Sequence, residues 1–437
     1  MDLLFNSLKT LCLTQGFERT YWVGYSGGLD SHVLLHLLSR LKAIYPLKIA
    51  AVYVNHGLSP HAAEWAEHCA NVCEQFHIPF KHYTISIDSS SEESLEALAR
   101  ESRYQVFAKA LNAGDILLTA HHQDDQAETV LIQLLRGSGP KGLAAMPRIK
   151  SFSNGLHARP LLNFTRTDLQ EYADHYQLKW IEDESNTNVK FVRNFLRHDV
   201  LPILKSRWPN VTDTLARVAE NCADMQQVLD EVTNEDLKIV KGSVDNTLSV
   251  VALLQFSPVR QKHILRAWLS KLGFSLPSSV KLQRIQQDLL HAREDKMPHL
   301  TWNGVELRRF QGDLYAMYST QSHDASLVHP WDMMQALHLS DLGVLSTTQV
   351  QGQGIRIDIK NVTVRFRQGG EKIKLPGRQC SHTLKNLFQQ WNIPFWERDK
   401  VPLIYVGEIL AAVVGYAVRD EFVAKPEDDG YMLMLNK

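Results

Sequence analysis

The chain has 437 residues, room for two to four domains at roughly 150 residues each. Hydrophobic residues make up 44% and charged residues 22%, ordinary values for folded domains, which excludes intrinsic disorder as the main state. Lys plus Arg total 47 against 48 Asp plus Glu, so the formal charge of −1 excludes a general attraction to nucleic acid or anionic membrane and confines such binding to a local patch.

Five scattered cysteines (Cys12, Cys69, Cys73, Cys222, Cys380) do not make a disulfide framework in a chain of this size, and a reducing, cytoplasmic setting fits them. The first twenty residues lack the basic stretch, apolar core and small-residue site of a signal peptide, and the longest apolar run, 409–418, is about half a membrane span. No membrane association is expected.

From 21 to 119 short β-branched runs alternate with longer amphipathic ones. YWVGYS (21–26), IAAVYVNHG (49–57), HYTISI (82–87) and DILLTAHH (115–122) read as strands, with helices over 30–42, 60–76, 92–111 and 124–135. That succession predicts an α/β fold, a doubly wound parallel sheet whose ligands gather at the strands' carboxyl ends. The loops beginning at Ser26, Asn55 and His121 should then share one cleft. Four glycines and two prolines make 136–159 an irregular loop. Helices follow over 165–177 and 193–205, and Trp208-Pro209 closes the unit. A helix-rich stretch is expected over 211–318, with a Ser257-Pro258 helix start and an Asn303-Gly304 turn, then a linker over 319–330. The last hundred or so residues mix short strands (IRIDI, VTVRF, PLIYVG) with one helix over 382–391, a small mixed α/β domain.

SGGLDS, comprising Ser26, Gly27, Gly28, Leu29, Asp30 and Ser31, stands where a strand ends and a helix begins. Its glycines let backbone approach a ligand, and the helix start aims unpaired N–H groups at it, which makes an anion cradle. Ser26 and Ser31 add hydroxyls, and Asp30 suits a magnesium ion on a polyphosphate. A bare Gly-Gly turn before a helix is more often a capping turn; the complete hexapeptide in this context reverses those odds. It resembles the PP-loop of the N-type ATP pyrophosphatases, which adenylate an oxygen with release of pyrophosphate. The spacing and lysine of a Walker loop are absent, which disfavours kinase-like chemistry.

In HHQDDQAET (121–129), Asp124 and Glu128 are four apart and Asp125 and Glu128 three apart, so the carboxylates share a helix face. A well-charged helix N-terminus explains them equally well, except that His121 and His122 precede them at a strand's carboxyl end. Arg100 and Arg103 in ARESRY, and Arg193 and Arg197 in VRNFLRHDVLP, lie about one helical turn apart. Such arginines usually face solvent; beside ATP they brace phosphates or stack on adenine.

SGGLDS, VNHGL, HHQDDQAET with RGSGPKGL, RPLL, WIEDESN and RNFLR occur in the order seen in the tRNA(Ile)-lysidine synthetases, and the segment RQGGEKIKLPGRQCSHTLKNLFQQWNIPFWERDKVPLIYVGEIL is similar to that family's last domain. The resemblance implies a PP-loop catalytic domain over 1–208, a helix-rich tRNA-binding domain over 209–320 and a C-terminal α/β tRNA-binding domain over 345–437. It also implies ligation of L-lysine to C2 of the wobble cytidine in the CAU anticodon of tRNA(Ile), with ATP and Mg2+, switching decoding from AUG to AUA. By similarity Ser26 to Ser31 with Arg100 and Arg103 would hold ATP, Asp30 the metal, and Asp125 and Glu128, with Asp124 a weaker choice, the lysine. Asp30, Asp125, Glu128 and Arg197 are the catalytic candidates, and Arg193 a further brace for phosphate charge.

The acidic helix meets a physical need. A lysine ε-amine with pKa near 10.4 is free base in only about one molecule in 10³ at pH 7, roughly 4–5 kcal/mol of barrier. A carboxylate in reach can hold the ammonium and take its proton. The tRNA needs a positive surface, and between 355 and 400 ten Lys/Arg face four Asp/Glu, a local +6. Lys372, Lys374, Arg378 and Lys385 are its phosphate candidates. Phe366, Phe388, Trp391, Phe395 and Trp396 are stacking candidates, although the spacing of Phe388 and Trp391 favours a core role. Partners are thus tRNA(Ile), L-lysine and ATP, with a homodimer left open. Two other readings stand beside this one: a tRNA thiolation enzyme, for which Cys69 and Cys73 offer only a CxxxC on a helix, and a non-catalytic RNA-binding protein, which leaves SGGLDS and DDQAET unexplained. An amidotransferase would need an ammonia source that the chain does not display.

Overall fold

A computed structural model describes residues 2–57, 61–85, 95–184, 188–293, 298–319, 324–340 and 342–436. The starts of the helices read from 60 and 92, the end of the HYTISI strand, Leu58 of VNHGL, Ser185 and Asn186 of WIEDESN, and 320–323 of the linker lie outside them. The chain divides into two compact units, Met1–Val232 and Thr233–Lys437.

In the first unit α1 (Asp2–Gln15) leads into β1 (Thr20–Gly24), α2 (Leu29–Lys42), β2 (Lys48–Asn55), α3 (Ala62–Gln75), β3 (Phe80–Thr84), α4 (Leu95–Ala110), β4 (Ile116–Leu118) and α5 (Gln123–Leu135). After these come α6 (Pro140–Leu143), the hairpin β5 (Ile149–Phe152) and β6 (Gly155–Ala158), and α7 (Arg166–His175). β1 and β2 are apolar along nearly their whole length because both their faces are covered, as parallel strands require. Tyr21, Val23, Ile49, Ala51 and Tyr53 join one core with Leu34, Leu38 and Leu41 of α2, while Trp22, Ala50, Val52 and Val54 join a second core with Phe107 and Leu111. Successive residues feeding opposite cores is the period-two geometry of a doubly wound sheet.

The strand order is β3-β2-β1-β4-β6-β5, parallel except for β5. It runs outward in one direction from β1 and in the other from β4. Between those two strands no connection crosses their carboxyl ends, which leaves a crevice where a ligand fits.

Two sequence expectations are corrected. The segment 136–159 is not wholly irregular: β5 and β6 form a hairpin about Ser153, whose φ of 49° is left-handed, and β6 pairs with β4. Four-residue strands are too short to show their alternation, and the glycines that mark the turns dominate the reading. The stretch 211–318 is helical only to 290; His299–Trp302, Val305–Phe310 and Asp313–Tyr318 form an antiparallel sheet with Leu248–Ser249. The Asn303-Gly304 turn, with φ of 43° and 74°, is the tight hairpin turn between the first two. The Ser257-Pro258 start stands as read: the Ser257 hydroxyl accepts from the Arg260 N–H at 3.4 Å and Pro258 opens the helix Pro258–Lys271. The C-terminal region is mostly strands, in a five-stranded and a four-stranded sheet, with the expected helix at Leu384–Gln390.

A second helical run closes the first unit: α8 (Val192–Phe195), a wide π turn at Leu196–Val200, and α9 (Leu201–Arg207), before the long α10 (Val211–Ile239). The Leu201 N–H reaches back five residues to the Leu196 carbonyl, and Pro202 next to it has no N–H with which to continue the tighter ladder. No helix among the described residues is long and apolar enough to cross a membrane.

Gly155 opens β6 where a Cβ would stand 2.1 Å from the Asp115 carbonyl oxygen. Gly155→Ala is expected to cost about 1–3 kcal/mol of stability through this overlap, read as a lower urea midpoint.

Candidate active site at the switch point of the sheet

The loop leaving β1 carries SGGLDS into α2. Gly27 has φ of +81°, and a Cβ there would meet Ile181 Cδ1 at 2.7 Å and Cys69 Sγ at 3.0 Å, so both conformation and space demand glycine. The Ile181 N–H donates to the Gly27 carbonyl at 2.9 Å and pins the turn from below. Ser31 Oγ donates to the Gly28 carbonyl at 3.0 Å and accepts from the Ser26 N–H at 3.2 Å, with Ser26 Oγ 3.1 Å away. Gly28 caps α2 with no side chain, which leaves the positive end of a 14-residue helix open to an anion. Asp30 Oδ1 is buried without a hydrogen-bond partner among the described residues, a carboxylate oxygen suited to a cation. A polyphosphate with a hard cation fits this donor and acceptor set.

β4 delivers the second half of the site. His122, 1% exposed, starts α5; its N–H donates to Asp125 Oδ2 at 3.0 Å. Its ring lies between three carboxylates, with Nε2 3.4 Å from Asp125 and 3.6 Å from Asp30, and Nδ1 3.7 Å from Asp124. Burial alone would lower the His122 pKa, but Asp125, Asp30 and Asp124 outweigh it and raise it. His122 thus ties the PP-loop helix to the acidic helix.

Glu128 is completely buried. It accepts from Arg193 Nε at 2.8 Å and from Arg197 at 2.7 Å (Nε) and 3.2 Å (Nη2). Arg197 Nη2 also donates to Asp125 Oδ1 at 3.0 Å. Arg193 and Arg197 stand four residues apart on the helical run, so both guanidiniums converge on α5. Burial would raise the Asp125 pKa, but His122, Arg193 and Arg197 hold its carboxyl well below the usual carboxylate range. Asp124 points the other way: it accepts from the Arg166 N–H at 3.0 Å and from Lys205 Nζ at 2.7 Å. A groove whose lining includes Asp124, Glu128, Arg166, Gln170, Arg197 and Lys205 opens there.

The structure therefore brings Asp30, Asp124, Asp125, Glu128, Arg193 and Arg197 together. It gives Glu128 a position different from the one its spacing suggested: both oxygens are taken by arginines and no face is open to a substrate amine. Arg103 Nε donates to His56 Nε2 at 3.1 Å and Arg100 lies over the Tyr104 ring at 5.3 Å, both outside this ion-pair cluster. Sequence reasoning gave no role to His122, Arg166 or Lys205. His122 stood in plain sight beside the carboxylates; Arg166 and Lys205 carry no local signal, since only the packing of α7 and α9 brings them to Asp124.

Cys69 and Cys73 are buried beneath the loop, and burial pushes the Cys73 thiol up to about 12. A sulfur relay needs a thiolate, and burial at both positions works against one.

Three family models match in chain order: a PP-loop domain over 6–204, a TilS substrate binding domain over 248–315 and a TilS substrate C-terminal domain over 362–435. The tRNA(Ile)-lysidine synthase of Coxiella burnetii is 44% identical over 94% of this chain and 92% of its own length. The chain belongs to the tRNA(Ile)-lysidine synthase family. Relatives of the same name from Yersinia pseudotuberculosis (41% identical, 94% of each chain) and Legionella pneumophila (40%, 92% of each) align as fully. Asp30, His122, Asp124, Asp125, Glu128, Arg193 and Arg197 all lie within the PP-loop match, and Lys205 follows its last residue.

Because the Asp125 carboxyl is depressed, its contribution to stability is present above its unfolded pKa near 3.9 and is lost as pH falls toward the folded value. The urea midpoint should decline as pH drops below about 4, and decline less steeply in Asp125→Asn, which has no proton to take up there.

Proposed function

We propose that the chain joins L-lysine to C2 of the wobble cytidine in the CAU anticodon of tRNA(Ile), consuming ATP to AMP and pyrophosphate and converting an AUG-reading tRNA to one reading AUA. The observation that carries the reading is the meeting of Asp30 and the acidic helix around His122, at the carboxyl ends of β1 and β4. An oxygen nucleophile, an α-phosphate and an amine all have to reach one point, and a switch-point crevice offers it.

In this mechanism Gly27, Gly28, Leu29 and the hydroxyls of Ser26 and Ser31 hold the ATP phosphates, and Asp30 would hold a Mg2+ ion, which would supply charge neutralisation. Arg100 and Arg103 stand at the adenosine side of the proposal. The cytidine C2 oxygen attacks the α-phosphate and pyrophosphate leaves. The lysine amine then attacks C2 and AMP leaves with the oxygen. Developing negative charge on phosphate is met by the α2 N-terminus and Arg197.

For the lysine, Asp125 and Asp124 are the acidic groups. What supports Asp124 is Lys205: its ammonium, 2.7 Å from Oδ1, occupies a position that a substrate ammonium fits equally well. Glu128 serves the lysine indirectly, by holding Arg193 and Arg197 against Asp125 and keeping that carboxyl ionised as the charge partner of the lysine ammonium.

The tRNA is held by the other two parts, the segments 209–320 and 345–437. Lys372, Arg378 and Lys385 are exposed and have no carboxylate within salt-bridge distance among the described residues, whereas Lys374 is 3.6 Å from Asp420. Arg356, Arg365 and Arg367 pair with Asp358, Glu408 and Asp399, so the useful positive charge is smaller than the count of basic residues. Phe366 and Phe388 are buried core residues, which removes them from the base-stacking candidates, while Trp391 is half-buried and stacks on Tyr416 at 5.3 Å.

Radiolabelled lysine should enter unmodified tRNA(Ile) with a CAU anticodon only when ATP and magnesium are present, and should not enter the methionine tRNA. Asp30→Asn should lower the rate about 100-fold or more. Label in the methionine tRNA, or none in either, would overturn the reading. Replacing Lys372, Arg378 and Lys385 together by alanine should weaken tRNA binding and reduce the slope of log Kd against log salt by about 2–3, because each lost phosphate contact removes about one released counterion.

A further inference from the structure

β4 and β6 bring a chain of four polar side chains under the crevice. Arg159, 2% exposed, donates from Nη2 to His157 Nδ1 at 3.2 Å. His157, fully buried, has Nε2 2.8 Å from Thr119 Oγ1. Thr119 Oγ1 is in turn 2.7 Å from Nδ1 of His121, the half-buried residue at the carboxyl end of β4 just before the acidic helix. Arg159 is itself anchored by donation from Nη1 to the Pro147 carbonyl at 2.7 Å.

Proton counting along this chain has one solution that leaves no threonine or imidazole proton within the chain without an acceptor among the described residues. A guanidinium only donates, so His157 Nδ1 must accept. Burial first, then Arg159, depresses the His157 pKa, and the ring is neutral, so its single proton is on Nε2 and is given to Thr119. If the buried threonine oxygen accepted from His121 as well, its own proton would have no acceptor among the described residues; given to His121 Nδ1, that proton is satisfied. Burial lowers the His121 pKa to about 3 against the pull of Asp125, so this ring too is neutral. Its proton is left on Nε2.

We propose that Arg159, His157 and Thr119 are positioning residues that lock His121 as a neutral imidazole carrying its proton on Nε2, so that it meets the substrate as a hydrogen-bond donor and not as a base. Which nitrogen of a histidine carries the proton is set by the partner of the other one. A ring in this state has a role only where an oxygen gains negative charge, and in the proposed reaction those oxygens belong to the α-phosphate and to the adenylated base. The role of base for the lysine amine then stays with the carboxylates. This inference rests on the proposed lysidine reaction for what His121 contacts, but not for the tautomer itself.

The test therefore has two arms. With 15N-labelled histidine in the full-length protein, and His121→Gln used to assign the resonances, His121 should show an unprotonated Nδ1 and a protonated Nε2 at pH 7. Thr119→Val should make the two tautomers mix, and Thr119→Ser should keep the wild-type pattern. In lysine incorporation, Thr119→Val should lower kcat about 10- to 100-fold with the KM for lysine unchanged, and Thr119→Ser should restore it to within about threefold. A proton on Nδ1, or a charged ring, overturns the proposal whatever the activity. A correct tautomer with Thr119→Val as active as wild type overturns its catalytic relevance. Absence of lysidine formation by the wild type would instead sink the reading of function and leave the tautomer result standing.

Discussion

Everything at the crevice depends on a buried carboxylate, Glu128, held between two arginines. Removing a carboxylate from water is costly, and a fully buried ion pair is tolerated only when its remaining lone pairs are also satisfied. Here Arg193 and Arg197 supply three hydrogen bonds to Glu128, and Arg197 supplies another to Asp125. Removing either partner of such a set costs about 3–5 kcal/mol in general, which explains why the helical run from Val192 is fastened to α5 and is not a loose surface helix. Arg193 and Arg197, four residues apart on this helical run, share the face that meets α5, so both reach the same carboxylate.

The same fastening sets the electrostatics. Two helix N-termini, those of α2 and α5, open at neighbouring strand ends and favour negative charge there. The acidic side chains already occupy one of them. His122, the two arginines and Lys205 balance Asp30, Asp124, Asp125 and Glu128 almost charge for charge, leaving the PP-loop end as the open anion site. A site with acidic and anion-binding halves side by side suits a reaction that brings an ammonium-bearing substrate to a phosphate-bearing one.

Much of the first unit could be read from the sequence because parallel strands buried on both faces show as unbroken apolar runs. The elements around SGGLDS and DDQAET were visible for that reason, and two glycines in a strand-to-helix turn have few other uses. The hairpin at 149–158 was hidden because four-residue strands carry too few residues to show a period, and the sheet at 299–318 because charged residues such as Arg308 and Arg309 interrupt its alternation. Within the site, the carboxylate spacing on α5 revealed a shared face but not that Glu128 is fully buried between two arginines while Asp124 pairs with Lys205.

Composition, periodicity and motif order alone determined the doubly wound sheet, the phosphate loop, the acidic helix and the family resemblance, because each is local in sequence or repeats at the period of its element. Tertiary structure alone decided which carboxylate is buried, which arginine meets it, and that Arg159 acts on His121 through His157 and Thr119. Arg197 and Asp125 stand 72 positions apart in the chain, and a helix or strand pattern carries no information about which side chain of a distant element will arrive opposite. Their pairing is fixed by strand order and helix docking, which exist only once the chain has folded.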